Sequence, residues 1–201
     1  VACLITVHPE NPESHLFHTP NIQLTALQAE AACLPLVQVE SRGAGEEEVA
    51  DLSRAVSRGR EEHGIEGVVT GAIHSVYQAT RVQRVCHDLD LWCFNPLWLR
   101  DEEEHLSELV SSGFRFLVSV VSAAPLGAEW LGRELDRGAL EELTGLARRA
   151  RMNPSGEGGE YETFVLDAPF FSRRIEVREA SREYRGDRGT FDITDARLVA
   201  K

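Results

Sequence analysis

Apolar positions in the first half of the chain fall in short unbroken runs at residues 1–7, 36–39, 67–70, 91–94 and 114–121. Each run is too short for a buried helix, is rich in β-branched side chains and ends at turn-forming residues. Each therefore reads as a strand covered on both faces. Between the runs, segments 22–33, 46–62, 76–89 and 102–111 carry apolar residues at helical spacing. Strand and helix alternate, and strands that are apolar throughout predict a parallel sheet with helices on both faces. The expected fold class is α/β, a doubly wound parallel sheet.

After residue 121 the pattern changes. A helix is expected over 140–149, a glycine-rich turn over 155–159 and a strand over 161–166. Two alternating runs, 174–180 and 190–199, flank the turn sequence RGDRG at 185–189 and read as an antiparallel pair. The switch places a boundary at 98–101, with a doubly wound domain over 1–99 and a smaller α+β domain over 100–201.

Composition narrows the function classes. A chain of 201 residues with 42% hydrophobic content buries a core of ordinary size. Its 33 acidic against 21 basic residues give a formal net charge of -12, which repels nucleic-acid phosphates and argues against direct nucleic-acid binding. The late arginines Arg148, Arg149, Arg151, Arg173, Arg174, Arg178 and Arg182 read as a solvated rim rather than an anion patch. No run approaches the roughly 18 apolar residues of a membrane-spanning helix, so no membrane partner is expected. Cys3, Cys33, Cys86 and Cys93 form no C-x-x-C pair and lie in apolar stretches, which fits reduced core thiols and a cytoplasmic location. The opening VACLITV has the composition of an interior strand, so a further N-terminal piece is expected before it. Homo-oligomerisation stays open.

In an open parallel sheet, ligands bind beyond the carboxyl ends of the strands, and three polar stretches fall there. The loop 8–21, HPENPESHLFHTPN, holds His8, His15 and His18. Their spacing matches no common metal-ligand pattern, which favours hydrogen-bonding or nucleotide-contacting roles over a metal site. The small-residue step GAIHS at 71–75 lets backbone amides approach a ligand, with Ser75 as a helix cap; a plain strand-to-helix turn explains it equally. The densest is GEGGEYET at 156–163, where Glu157, Glu160 and Glu162 surround a glycine pair. Clustered carboxylates beside flexible backbone suit Mg2+, a cationic substrate group or proton transfer. No P-loop, dinucleotide fingerprint, nucleophile elbow or H-E-x-x-H is present.

Four segments in this order, GAIHSVYQATRVQRVC, NPLWLRD, SAAPLGAEWLGRELD and EGGEYETFVLDAPFF, resemble the diphthine-ammonia ligase family. The resemblance implies an N-type ATP-pyrophosphatase domain of the HUP type joined to a family-specific domain. It also implies a ligase that uses ATP and Mg2+ to activate the diphthine carboxylate of elongation factor 2 as an acyl-adenylate. Ammonia then displaces AMP to give diphthamide. On that resemblance Ile5, Thr6 and Val7 flank adenine and ribose, His18 and Thr19 border the same pocket, and Gly71 and Ala72 form the second nucleotide loop with Tyr77. Gln78, Arg81, Gly158, Gly159 and Thr163 handle the acceptor, and Glu157, Glu160 and Glu162 are catalytic. For Tyr77 and Trp98, core packing accounts for the residue as well as ligand contact does. The family's phosphate loop, S-G-G-K-D-S, does not occur in the sequence and is expected to precede Val1. Two alternatives remain: a related adenylating ligase acting on another carboxylate, and a non-catalytic nucleotide-binding protein.

Overall fold

The computed structural model describes residues 1–11, 14, 16–42 and 46–201. The chain divides into two compact units, Val1–Glu30 with Leu34–Leu99, and Ala31–Cys33 with Arg100–Lys201. The fold is mixed α/β and contains parallel sheets. Among the described residues no helix is long and apolar enough to cross a membrane.

In the first unit β1 (Leu4–Pro9) runs parallel to β2 (Leu36–Ser41), and β3 (Gly67–Val69) runs parallel to β4 (Trp92–Phe94). Parallel pairing requires a long crossover. The crossovers here contain α1 (Thr25–Ala32) and α3 (Val76–Asp88), while α2 (Glu46–His63) joins the two pairs. Strand alternation turns Ile5 and Val7 toward one core cluster with Val39 and Ala55 of α2. A Cβ on Gly59 of α2 would lie 2.9 Å from Ile5 Cδ1, so the close approach of helix to strand depends on that glycine. The helix expected over 22–33 opens as a 3-10 turn, Ile22–Leu24, and ends after Ala32, where Cys33 takes φ 55°. The first strand begins three residues later than its apolar run and extends to Pro9, because its ladder is set by pairing with β2 and not by hydrophobicity.

The second unit is an antiparallel sheet in the order β6-β5-β8-β7, from β5 (Arg115–Val121), β6 (Tyr161–Asp167), β7 (Arg174–Arg185) and β8 (Arg188–Val199). Helices α4 (Glu102–Ser111) and α5 (Arg137–Ala150) pack on each other. Asp101 and Asp136 start them by accepting the amides of Glu104 and Ala139 at 2.9 and 2.8 Å. The β7–β8 ladder runs on through Tyr184↔Gly189 and Arg185↔Arg188, so the turn expected over 185–189 shrinks to Gly186 and Asp187. Gly186 takes φ 66° there, a conformation that glycine adopts without strain.

The cysteines are not uniformly core thiols. Cys86 is buried, Cys3 and Cys93 are half-buried, and Cys33 is exposed where the chain leaves α1. Burial, with the charge and hydrogen bond of neighbouring Cys93, pushes the Cys86 thiol up to about 12. A thiol so raised yields little thiolate near neutrality. Iodoacetamide at pH 8 should therefore label Cys33 first and leave Cys86 unmodified in the native protein. Peptide mass spectrometry checks this, and early labelling of Cys86 would contradict the packing. Leu143, on the inner face of α5, is fully buried. Leu143→Ala should lower stability by about 2–5 kcal/mol in urea unfolding.

Candidate functional site

At the carboxyl end of β3 the chain turns through Gly71–Ala72–Ile73 into α3, whose first amide turn is capped by the Ser75 hydroxyl accepting from Gln78 N at 3.3 Å. Ala72 and Ile73 are buried and Gly71 is exposed, with no heavy atom within 4 Å of where its Cβ would be. Space therefore opens above the Gly71 backbone. Tyr77, Gln78 and Arg81 follow on the same helix, all half-buried. The Arg81 guanidinium carbon lies 3.4 Å from the Tyr77 ring centroid and one guanidinium nitrogen donates to Tyr77 O at 3.3 Å. That contact orients both side chains. Five of the residues singled out from the sequence thus share one strand–loop–helix.

Ile5, Thr6 and Val7 stand on the other parallel pair. Ile5 and Val7 face the core under α2, which leaves Thr6 on the opposite face. In the loop that follows, Thr19 is half-buried and His18 exposed; His8 Nε2 lies 3.1 Å from Gln38 Nε2 on β2, and His15 falls outside the described residues. Trp98 is 37% exposed and so is not a core residue.

The acidic turn is closed by its own side chains. The Glu160 carboxylate accepts Asn153 N at 2.8 Å and Gly158 N at 2.9 Å, and the Gly159 amide donates to Gly156 O at 2.8 Å. Tyr161, buried at the start of β6, donates its hydroxyl to Pro154 O at 2.7 Å. Glu160 therefore serves first as a backbone staple, a role its position in a carboxylate cluster did not suggest. A Cβ on Gly158 would sit 2.7 Å from Glu160 Oε1, so the glycine is needed for the staple to close. Glu162 and Thr163 continue into β6 opposite Val120 and Val118, and Glu157 and Glu162 are both half-buried. Burial, then the charges of Glu102 and Glu160, hold the Tyr161 phenol above its ordinary value, which places Glu102 of α4 beside the turn as a fourth carboxylate. No local signal points to Glu102, which lies some sixty positions upstream. Among the described residues no group of three or more His, Cys, Asp or Glu side chains converges to hold a metal ion.

Residues 1–92 match the model of the diphthamide synthase N-terminal domain, and residues 101–199 match that of the diphthamide synthase C-terminal domain. The chain belongs to the diphthamide synthase family. It is 36% identical over 184 residues to the Rattus norvegicus diphthine-ammonia ligase, covering 85% of this chain and 68% of that protein. Against the Schizosaccharomyces pombe protein of the same name it is 35% identical over 191 residues, 87% of this chain and 31% of that protein. Against the Danio rerio protein, also a diphthine-ammonia ligase, it is 37% identical over 175 residues, 81% of this chain and 68% of that protein. The matched region thus spans about a third of the yeast relative and about two thirds of the vertebrate ones.

The two glycine-bearing loops of this family member differ in how tightly they are built. Gly71→Ala should change stability by less than about 0.5 kcal/mol, since its Cβ meets nothing. Gly156 takes φ 78° with its would-be Cβ 2.6 Å from Tyr161 O, so Gly156→Ala should cost about 1–3 kcal/mol. Thermal unfolding of the two variants checks the order, and equal stability would show that the acidic turn is not clamped as described.

Proposed function

We propose that this chain carries the nucleotide-handling and acceptor-handling parts of an ATP-dependent ligase. Its reaction is the amidation of the diphthine carboxylate on elongation factor 2 with ammonia, giving diphthamide, AMP and pyrophosphate. The observation that carries this reading is the stapled acidic turn, in a chain whose halves match the two domains of the family. A carboxylate is a poor acyl donor, so one of its oxygens first attacks the α-phosphorus of ATP and pyrophosphate leaves. The ammonia lone pair then adds to the acyl carbon of the adenylate, AMP leaves, and the proton lost from nitrogen passes to a carboxylate at the turn. Glu157 and Glu162 are assigned that proton-accepting role and the holding of a cationic group on the acceptor. Glu160, Gly158 and Gly159 shape the turn, with Thr163 bordering it.

In the first unit, Gly71 and Ala72 receive the nucleotide with Tyr77 beside them, Thr6, His18 and Thr19 reach it from β1 and its loop, and Gln78 and Arg81 on α3 are assigned to the acceptor. Ile5 and Val7 support the strand from the core side. The two parallel pairs are assigned to one doubly wound HUP-type sheet. Exposure of Val69 at 65%, Trp92 at 81% and Phe94 at 62% on one face of β3–β4 supports a covering segment. Any Mg2+ would enter with the ATP phosphates. The cytoplasm, where elongation factor 2 works, is the assigned location.

Full-length protein mixed with ATP, ammonia and diphthine-bearing elongation factor 2 should form AMP and pyrophosphate in step with amide. ATP left intact would overturn the ligase reading, and AMP formed only with a small free acid would move it to another carboxylate. Glu157→Gln should lower amide formation by about 100-fold or more while ATP affinity holds. An equal loss of ATP affinity would assign the turn to the nucleotide instead.

A further inference from the structure

The carboxyl ends of β3 and β4 are tied together by a polar contact that the roles assigned above do not use. Thr70, just past β3, donates its hydroxyl to Asn95 Oδ1, just past β4, at 2.5 Å. The Cys93 thiol points at the same oxygen at 4.0 Å, and the Ala72 amide reaches Thr70 Oγ1 at 3.5 Å. The backbones meet in the same place, with Thr70 N donating to Phe94 O at 3.1 Å. Two donors on one oxygen fix which way the Asn95 amide faces. Its oxygen is turned into the pair and its NH2 group, which donates no hydrogen bond among the described residues, is turned away from it. Asn95 is only half-buried, and the neighbouring Gly71 opens onto empty space.

We propose that Asn95 is a nucleotide-recognition residue, whose Nδ2 donates to a hydrogen-bond acceptor on the bound adenine nucleotide, with Thr70 as its positioning residue. The inference rests on the nucleotide reading of the Gly71–Ala72 loop. A neutral amide whose acceptor is already engaged can only donate outward, so it selects for an acceptor and discriminates against a donor at that point of the ligand. It lies where ligands meet parallel sheets, beyond the strand carboxyl ends. Thr70 acts through Asn95 and through the loop amide of Ala72, so one hydroxyl couples the loop to the recognition group.

The test is calorimetric titration of the full-length protein with a non-hydrolysable ATP analogue, and separately with adenosine and with inorganic pyrophosphate. Asn95→Ala should weaken analogue binding by about fivefold to tenfold, the loss of one hydrogen bond. Asn95→Asp, which keeps the oxygen for Thr70 but replaces the donor with a negative charge, should weaken it further. Thr70→Val should reproduce the Asn95→Ala loss and Thr70→Ser should restore wild-type affinity, a rescue that simple packing would not give. Loss on adenosine alone places the contact on the nucleoside, and loss on pyrophosphate alone places it on the phosphates; either supports the inference. Wild-type affinity in both Asn95 variants overturns it and leaves the nucleotide reading standing, whereas no analogue binding by the wild-type protein overturns both. If Asn95→Ala does not fold, Asn95→Asp and the Thr70 pair decide the question.

Discussion

The second unit is organised by the burial of β5. From Phe116 to Val121 every residue of that strand is buried, and it is paired on one edge with β6 and on the other with β8. A strand so placed has no solvent to satisfy its backbone, so its neighbours must run alongside it in fixed register. That requirement brings the start of β6 to the end of β5, where Ser122 N donates to Glu160 O at 2.8 Å. The acidic turn is consequently anchored at its exit by the sheet. A register shift between Val118 and Val120, opposite Thr163 and Glu162, bends the ladder beside that anchor.

The anchoring explains why a loop of glycines and carboxylates has one conformation. Left to themselves, three glutamates within six residues repel one another and favour extended chain. Here one of the three is neutralised in effect by two backbone amides, a charge-assisted arrangement stronger than a neutral hydrogen bond. The staple separates a framework carboxylate from the two that flank it. The Gly71–Ala72 loop is built differently. It rests on the serine cap of α3 and on side chains past two short strands, and it leaves room above Gly71.

How much of this was legible in the sequence follows from the range of the forces involved. Apolar periodicity is local, and it located all five strands of the alternating region and the helices between them, with ends displaced by a few residues. The Ser75 cap was legible because a cap is a three-residue event. Pairing is not local: the split of the first unit into two parallel pairs, and the zipping of β7 onto β8 down to Gly186 and Asp187, depend on which strand lies next to which. The same limit hid Thr70 and Asn95, 25 positions apart, and Glu102, whose nearness to Tyr161 arises only once α4 is packed. Glu160 stood out in the sequence for its charge, while the staple it forms depends on the backbone of Asn153 and Gly158.

The frame of the acidic turn is also insulated from pH. Tyr161 is buried, and burial together with the charges of Glu102 and Glu160 raises its phenol above the ordinary value of 10.0. A group whose folded value is raised contributes stability that is complete below its unfolded value and is lost only as pH climbs through the folded one. Throughout the neutral range the phenol therefore keeps its proton and its bond to Pro154 O, and the two acids nearby reinforce that bond by disfavouring phenolate. The negative charge of the turn thus also locks the hydroxyl that holds the turn in shape.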